Sequence, residues 1–150
     1  MNEQAQKYWN EFWQGKTAPT NVIAEQFGWE YTEVADELAD LIIRGIKTAT
    51  CSGHAFYEAD EPLPAVGDYS IVLNSKDEPV AMIKIVEVTL TPMNEVTEAF
   101  ARAEGEGDLS YEYWYEGHKE VFTRELAELG MAFTEDMLLV CERFELVDVK

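Results

Sequence analysis

The amino-acid sequence predicts an α+β domain in which a small mixed or antiparallel β-sheet curls into a partly open barrel, with helices to one side. The predicted elements run helix, helix, strand, two hairpin strands, two helices and strand, an order that does not alternate as parallel βαβ units would. The long strand predicted over residues 80–90 has two mixed faces, which is typical of a strand that bends round a small barrel. A length of 150 residues suits a single domain with a substantial core.

Two amphipathic helices are predicted in the first third of the chain. Residues 1–14 carry an aromatic stripe at helical spacing that ends at Gly15, and such a stripe favours packing over base stacking. Its members are Ala5, Tyr8, Trp9, Phe12 and Trp13. Residues 32–44 repeat the pattern and stop at Gly45, where a glycine ends a helix well.

The strands are predicted from β-branched and alternating stretches. Residues 46–52 form a β-branched run entered directly from the second helix, and residues 68–73 form a strand that the turn NSKDEP joins to the long strand. A final strand is predicted within MLLVCERFELV. In that strand Glu142 and Arg143 alternate, so one of the two charges should point inward and need a partner such as Lys47 or Lys84.

Two more helices precede that final strand. Asn94 is positioned to cap a helix over residues 94–104, and the glycine-rich stretch EGEGD then breaks it. Ser110 is positioned to cap a longer helix that Gly130 stops.

The net charge of −19 limits the partners that this protein can bind. Nonspecific affinity for nucleic acid comes from Lys and Arg that release counterions, so a duplex or a long RNA should be repelled. A local basic island can still attract a short ligand, because salt screens charges that lie beyond about 8 Å. The composition therefore favours a small substrate.

The cysteines and histidines indicate no metal site. Cys51 and Cys141 lie far apart without paired spacing, so neither a disulfide framework nor a zinc site is expected, and Cys51 is interpreted as a buried, inert thiol. For His54 and His118 a packing or capping role is favoured over a ligand or base. The sequence shows no signal peptide and no apolar run of about 18 residues, so we expect a cytoplasmic protein without a membrane partner or cofactor.

Residues 41–57, LIIRGIKTATCSGHAFY, contain no carboxylate although the chain is acidic. We interpret them as the floor of a ligand cleft in which Arg44 and Lys47 meet an electron-rich ligand. A lysine that is desolvated with no close anion has a lowered pKa and can act as a base. Lys47 and Thr50 would lie on opposite faces of a regular strand, so they converge only if the segment bends. The alternatives are a solvated lysine and an ordinary apolar strand.

The run GIKTAT, reached from the helix TEVADELADLIIR, resembles the opening signature of ASCH domains, a branch of the PUA-like superfamily. The later segments VGDYSIVL, KIVEVTL, VTEAFARAEGEGD, the Trp114 helix and LLVCERFELV follow in the order typical of small bacterial members. The resemblance covers residues 30–147 and leaves residues 1–29 as an N-terminal helical extension. It implies a PUA-like barrel with flanking helices that cover a cleft for a nucleotide or RNA element.

Some small bacterial ASCH proteins are amidohydrolases that remove an acyl group from the exocyclic amine of cytidine. They use a Lys-x-x-Thr pair and a glutamate, which correspond in this chain to Lys47, Thr50 and Glu104. The resemblance implies that the Thr50 hydroxyl attacks the amide after giving its proton to a neutral Lys47. Glu104 would orient the lysine or protonate the leaving amine. Glu106 competes with Glu104 for this role.

The substrate-binding residues are also predictions. Trp114 is a candidate for base stacking, although its helical spacing favours core packing, and Thr48 lies in the signature itself. Those amidohydrolases carry an arginine two residues after the threonine, where this chain has Ser52. Arg44 and Arg143 are the candidates to replace that arginine in space.

Three functions follow, in order of preference. The first is an amidohydrolase acting on an acylated, nucleoside-like ligand, and the second is a non-catalytic module that binds a nucleotide or a short RNA element. The third is an interaction domain that uses exposed aromatic side chains such as Trp9 and Trp13, with a homodimer as one form.

Overall fold

The computed structural model describes residues 1–28 and 32–150. Its helices are α1 (Glu3–Phe12), α2 (Thr32–Ile43), α3 (Glu98–Glu104) and α4 (Tyr111–Glu128). Its strands are β1 (Val22–Gln26), β2 (Ala49–Gly53), β3 (Tyr69–Leu73), β4 (Pro79–Pro92) and β5 (Leu138–Val149). The boundary predicted between residues 29 and 30 lies outside the described residues. Within the described ranges, no helix is both long and apolar enough to cross a membrane.

The strands of the described chain form one mixed sheet in the order β1-β3-β4-β5-β2, with β1 parallel to β3 and the other pairs antiparallel. Strand β4 pairs with β5 along most of its length and with β3 only in its first half. The register between β4 and β5 shifts between Ile85 and Glu87, so Val86 is an extra residue that bends the strand. The sheet therefore curls into a half-barrel, and the predicted α+β fold is confirmed.

Strand β1 was not predicted from the sequence. Its residues VIAEQ are few, and two of them are the polar Glu25 and Gln26, so the segment lacks the pattern of a half-buried strand. Its partner β3 lies more than forty residues away, as in the pair Val22–Tyr69. Pairing over that distance leaves no local signal in the sequence.

Helices cover both faces of the sheet, which corrects the prediction that they lie to one side. Ile71 packs in a cluster with α1, whereas the adjacent Val72 packs in a cluster with α2. Both side chains are fully buried. Because successive residues of a strand point to opposite faces, α1 and α2 must lie on opposite sides of β3.

The aromatic stripe of α1 packs against the sheet, as predicted. Trp9 and Tyr8 are buried, and Trp9 and Trp13 both contact the ring of Tyr69 edge-on. The interaction-domain hypothesis required these aromatics to be exposed. Trp9 is buried and Trp13 is half-buried, so one of the two side chains on which that hypothesis depended is not accessible.

Helix α3 begins later than predicted. Met93–Glu95 form a short 3-10 turn, and the cap is Thr97, whose side chain accepts a hydrogen bond from the Phe100 amide at 3.1 Å. The amides of Met93 and Asn94 are instead bonded to the segment that precedes β5. These tertiary bonds overrode the helical periodicity that favoured a start at Asn94. Ser110 caps α4 as predicted.

Candidate functional site

A cleft of about 390 Å³ opens between β2, the end of α3, one face of α4 and the first turns of α2. Its wall contains Lys47, Thr50, Glu104 and Trp114, so all three predicted catalytic residues line one cavity. These residues come from separate elements that only the folded chain brings together. Their catalytic roles stay predictions.

Lys47 reaches the cleft because it lies before β2 and not within it. The amides of Ile46 and Lys47 both donate to the Leu41 carbonyl at the end of α2, and regular strand geometry starts only at Ala49. The Thr48 amide donates to the Ala103 carbonyl at 2.7 Å. This bond joins the Lys47 segment to the last turn of α3, beside Glu104.

Lys47 is buried in contact with two carboxylates. Its Nζ lies 3.1 Å from Glu104 Oε1 and 3.1 Å from Glu106 Oε2, and it also donates to the Glu104 carbonyl at 3.3 Å. The Lys47 and Glu104 side chains are each only 2% exposed, whereas Glu106 is 32% exposed. Glu104 and Glu106 thus share the lysine, with Glu104 the deeper of the two.

The expectation of a lysine without a close anion was wrong. Burial by itself lowers the pKa of Lys47, but the charges of Glu104 and Glu106 more than offset burial and raise that pKa above its ordinary value. Lys47 is therefore an ammonium at neutral pH. No acid lies near Lys47 in the sequence. The two carboxylates that contact it belong to Glu104 and Glu106, which are 57 and 59 positions further along the chain.

The second oxygen of Glu104 accepts from three other side chains. Oε2 lies 2.5 Å from Trp114 Nε1, 3.2 Å from Cys51 Sγ and 3.3 Å from His118 Nε2. Burial alone would raise the pKa of Glu104, but Lys47 and His118 lower it well below its usual range. Glu104 is thus an ionised carboxylate at the centre of a fully hydrogen-bonded cluster, which we call the Glu104 cluster.

Cys51 is half-buried, and its surroundings disfavour a reactive thiol. Burial and the nearby Glu104 charge raise its pKa well above the ordinary value, and only the thiolate is a good nucleophile. Cys51, Glu104 and His118 bring three potential donor atoms within 4.8 Å of one another. Trp114 already donates a hydrogen bond to Oε2, and the Lys47 ammonium contacts the other oxygen of the same carboxylate. The three side chains therefore suit a hydrogen-bonded network better than a metal site.

Thr50 and Ser52 lie on the floor of the cleft. Thr50 is half-buried, and Ser52 is buried with its hydroxyl 2.8 Å from that of Tyr57. Thr48 is exposed and does not line the cavity, and its hydroxyl lies 3.4 Å from the Ala103 carbonyl oxygen. The structure thus places Ser52 among the residues that could touch a ligand, and it separates Thr48 from them.

Neither candidate arginine lies in the cleft. Arg44 is exposed and pairs with Asp40 one helical turn away, at 3.5 Å. Arg143 pairs with Glu87 at 3.3 Å and lies over the Phe100 ring. Among the described residues, the cleft wall instead contains Arg124 on α4, which the sequence reasoning missed.

His118 was the other missed residue. It lines the cleft, stacks on Trp114 with ring centroids 4.6 Å apart, and contacts Glu104. The packing role predicted for it is correct but incomplete. The available signal was its spacing of four from Trp114, which puts both rings on one face of α4.

A second chamber of about 930 Å³ shares Thr50, Cys51 and Ser52 with the cleft. It contains Glu142, the inward charge of β5, which pairs in register with Thr50. Burial, and then the charges of Glu25 and Asp68, raise the pKa of Glu142 from 4.5 to about 7. The charge of Lys47 acts in the opposite direction but does not offset them.

Replacing Glu142 by glutamine is expected to stabilise the protein at pH 8 and to change little at pH 4. The unfolded chain ionises this carboxyl near 4.5 and the folded chain near 7, so the native state loses stability as pH rises between those values. A shift of this size corresponds to roughly 3 kcal/mol at pH 8. Urea unfolding at both pH values measures the effect, with Glu145→Gln on the exposed face of β5 as control. Equal responses of the two variants would contradict the interpretation.

Comparisons with known proteins agree with this architecture. The ASCH domain family model matches residues 23–148. The crystal structure of the ASCH domain from Lactobacillus crispatus JV V101 is 38% identical, with a TM-score of 0.92 over 99% of this chain and 96% of that one. Protein EF3133 from Enterococcus faecalis V583 is 37% identical, with a TM-score of 0.87 over 100% of this chain and 96% of the other. No curated protein matches the sequence. The family match over most of the chain and these two structures establish that the protein belongs to the ASCH domain family, with its PUA-like fold.

Proposed function

We propose that this ASCH protein is an amidohydrolase that acts on a small acylated nucleoside of the acetylcytidine type. The observation that carries the proposal is the buried contact of Lys47 with Glu104 and Glu106, in a cleft whose floor includes Thr50. A buried ion pair is weak evidence for stability, so its presence in a cavity favours a chemical role.

The ion pair can supply the base that the reaction needs. Lys47 is charged at rest, and the carboxylate of Glu106, 3.1 Å away, can take its proton. Glu104 is the poorer acceptor, because, against the effect of burial, Lys47 and His118 lower its pKa. A substrate that fills the cleft excludes water, which brings the neutral amine and carboxylic acid closer in energy to the ion pair. Glu106 is the more exposed of the two carboxylates, so a bound substrate removes more water from Glu106 than from Glu104.

The neutral Lys47 would then accept the Thr50 proton as the Thr50 hydroxyl attacks the amide carbonyl. The C–N bond breaks, the leaving amine takes a proton from the cluster, and the acyl group stays on Thr50 as an ester. Water hydrolyses that ester to a carboxylic acid and restores the hydroxyl.

The cleft suits a nucleoside better than a nucleic acid. Its volume of about 390 Å³ lies within the range of small-molecule sites. Among the described residues, the wall carries more carboxylates than cations, and Lys47 is already neutralised. A phosphodiester chain would meet this acidic wall on a protein of net charge −19. These charges weigh against the alternative of an RNA-binding module.

Thr50→Ala is expected to lower kcat for acetylated cytidine by at least a hundredfold while the melting temperature changes by only a few degrees, because the half-buried hydroxyl is the attacking group. The loss of the acyl group changes the absorbance of cytidine, which provides the assay. Thr89→Ala, an exposed strand threonine outside the cleft, is the matched control. Undiminished turnover in Thr50→Ala would reject the nucleophile. Saturable binding of acetylated cytidine without turnover by the unmodified protein would instead indicate a binding module.

A further inference from the structure

The His118 ring is held from three directions inside the cleft. Its Nδ1 lies 2.7 Å from the Trp114 carbonyl, its face stacks on the Trp114 ring, and its Nε2 lies 3.3 Å from Glu104 Oε2. Phe122, one turn further along α4, packs against the ring as well. These contacts restrain the orientation of the imidazole ring.

Both ring nitrogens of His118 face acceptors. A carbonyl oxygen and a carboxylate oxygen can only accept, so hydrogen bonds at both nitrogens require the doubly protonated imidazolium. Among the described residues, the charged and titratable groups nearest the ring are Glu104 on α3, Glu106 in the loop after it, Lys47 before β2 and Cys51 on β2. The same cleft is also lined by Arg124 and Glu125 on α4 and by Glu33 and Glu37 on α2. Burial lowers the pKa of His118, but Glu104, and more weakly Glu106, raise it above the ordinary value.

Glu104 is therefore a carboxylate between two cations. His118, Trp114 and Cys51 hold Oε2, and Oε1 is left as the oxygen that contacts Lys47. A second positive charge beside Lys47 disfavours its ammonium form. If His118 were neutral, the full charge of Glu104 would act on Lys47 alone and keep it protonated more strongly.

We propose that His118 is a positioning residue for this site, which as an imidazolium engages Oε2 of Glu104 and thereby allows Lys47 to reach the neutral form that attack by Thr50 requires. The inference rests on the proposed function for its catalytic consequence. Its physical content, the coupling of His118 to Lys47 through Glu104, does not depend on any activity.

The activity-free test is an NMR titration of the Lys47 side chain in protein labelled with ¹³C-lysine. In His118→Gln, which keeps a side-chain N–H but carries no charge, the pKa of Lys47 is expected to rise by about one unit. His118→Asn, which keeps the donor to the Trp114 carbonyl, should give the same rise and guards against a folding defect in one variant. An unchanged Lys47 pKa in both folded variants would overturn the proposal.

The kinetic test uses the pH dependence of acetylated cytidine hydrolysis. The unmodified protein should show a bell-shaped profile, because both a neutral Lys47 and a charged His118 are required. His118→Gln should lower kcat at pH 7 about tenfold with KM within twofold, and its rate should rise with pH without the alkaline decline. A bell that persists in the variant would overturn the proposal. If the unmodified protein is inactive, the proposed function fails, and the Lys47 titration alone decides the coupling.

Discussion

Lys47→Met is expected to lower the free energy of unfolding by about 3 kcal/mol and to abolish turnover of an acylated nucleoside. Methionine matches the length of the lysine stem but carries no charge, so the variant leaves Glu104, only 2% exposed, without its closest cation. Breaking a buried ion pair on one side typically costs about 3–5 kcal/mol. The lower figure is expected because His118, Trp114 and Cys51 remain on the other oxygen.

The double variant Lys47→Met/Glu104→Gln separates the charge from the packing. Removing both charges leaves no buried carboxylate without its cation, since Glu106 is 32% exposed and His118 can release its proton. The double variant should therefore be more stable than Lys47→Met alone, although equally inactive. Lys7→Met serves as the control, because the Lys7–Glu11 pair is exposed and such pairs contribute at most about 1 kcal/mol. Urea unfolding followed by tryptophan fluorescence gives all of these values. A double variant that is less stable than Lys47→Met would contradict the buried-charge explanation.

Gly105→Ala is expected to destabilise the protein by about 3 kcal/mol or more and to disrupt the site with it. Gly105 follows Glu104 with φ of 73° and ends α3 in the left-handed conformation. A Cβ at this position would lie 2.6 Å from the Ile46 carbonyl oxygen and 2.9 Å from the Lys47 Cα. These are backbone atoms that cannot rotate away, so the segment that carries Lys47 must move.

Gly130→Ala is the matched control for the backbone conformation. Gly130 has φ of 72°, nearly the same as Gly105, but a Cβ there would meet no atom within 4 Å. Its replacement should cost only the left-handed penalty, about 1–2 kcal/mol. The difference between the two variants, measured by urea unfolding, isolates the contact with the Lys47 backbone. Equal costs would show that this contact does not constrain the site.

The local elements of this protein could largely be predicted from its sequence. The stripe of α1, the amphipathic α2 and the Ser110 cap of α4 depend on residues within a few positions of one another. Hydrophobic periodicity and capping residues can be recognised in such short stretches of sequence. The start of α3 and strand β1 were not predicted, because bonds to distant segments determine both of them.

The candidate site divides in the same way. The family resemblance identified Lys47 and Thr50 in the run GIKTAT and Glu104 at the end of the segment VTEAFARAE, and all three line one cleft. Arg44 and Arg143 were proposed as replacements in space for the arginine of the family, but both lie outside the cleft with carboxylate partners of their own. His118 and Arg124 enter the cleft from α4, and their roles could not be read from the helical pattern alone.

By itself, the sequence determined the acidic charge, the ASCH signature and the residue types available for chemistry. The tertiary structure decided the protonation states, because these depend on which charges meet at about 3 Å after burial. Lys47 has no acid near it in the chain, yet it is an ammonium between Glu104 and Glu106 in the fold. Electrostatic interactions depend on distance in space, and the distance between two charges that are 57 positions apart in the chain exists only once the chain has folded.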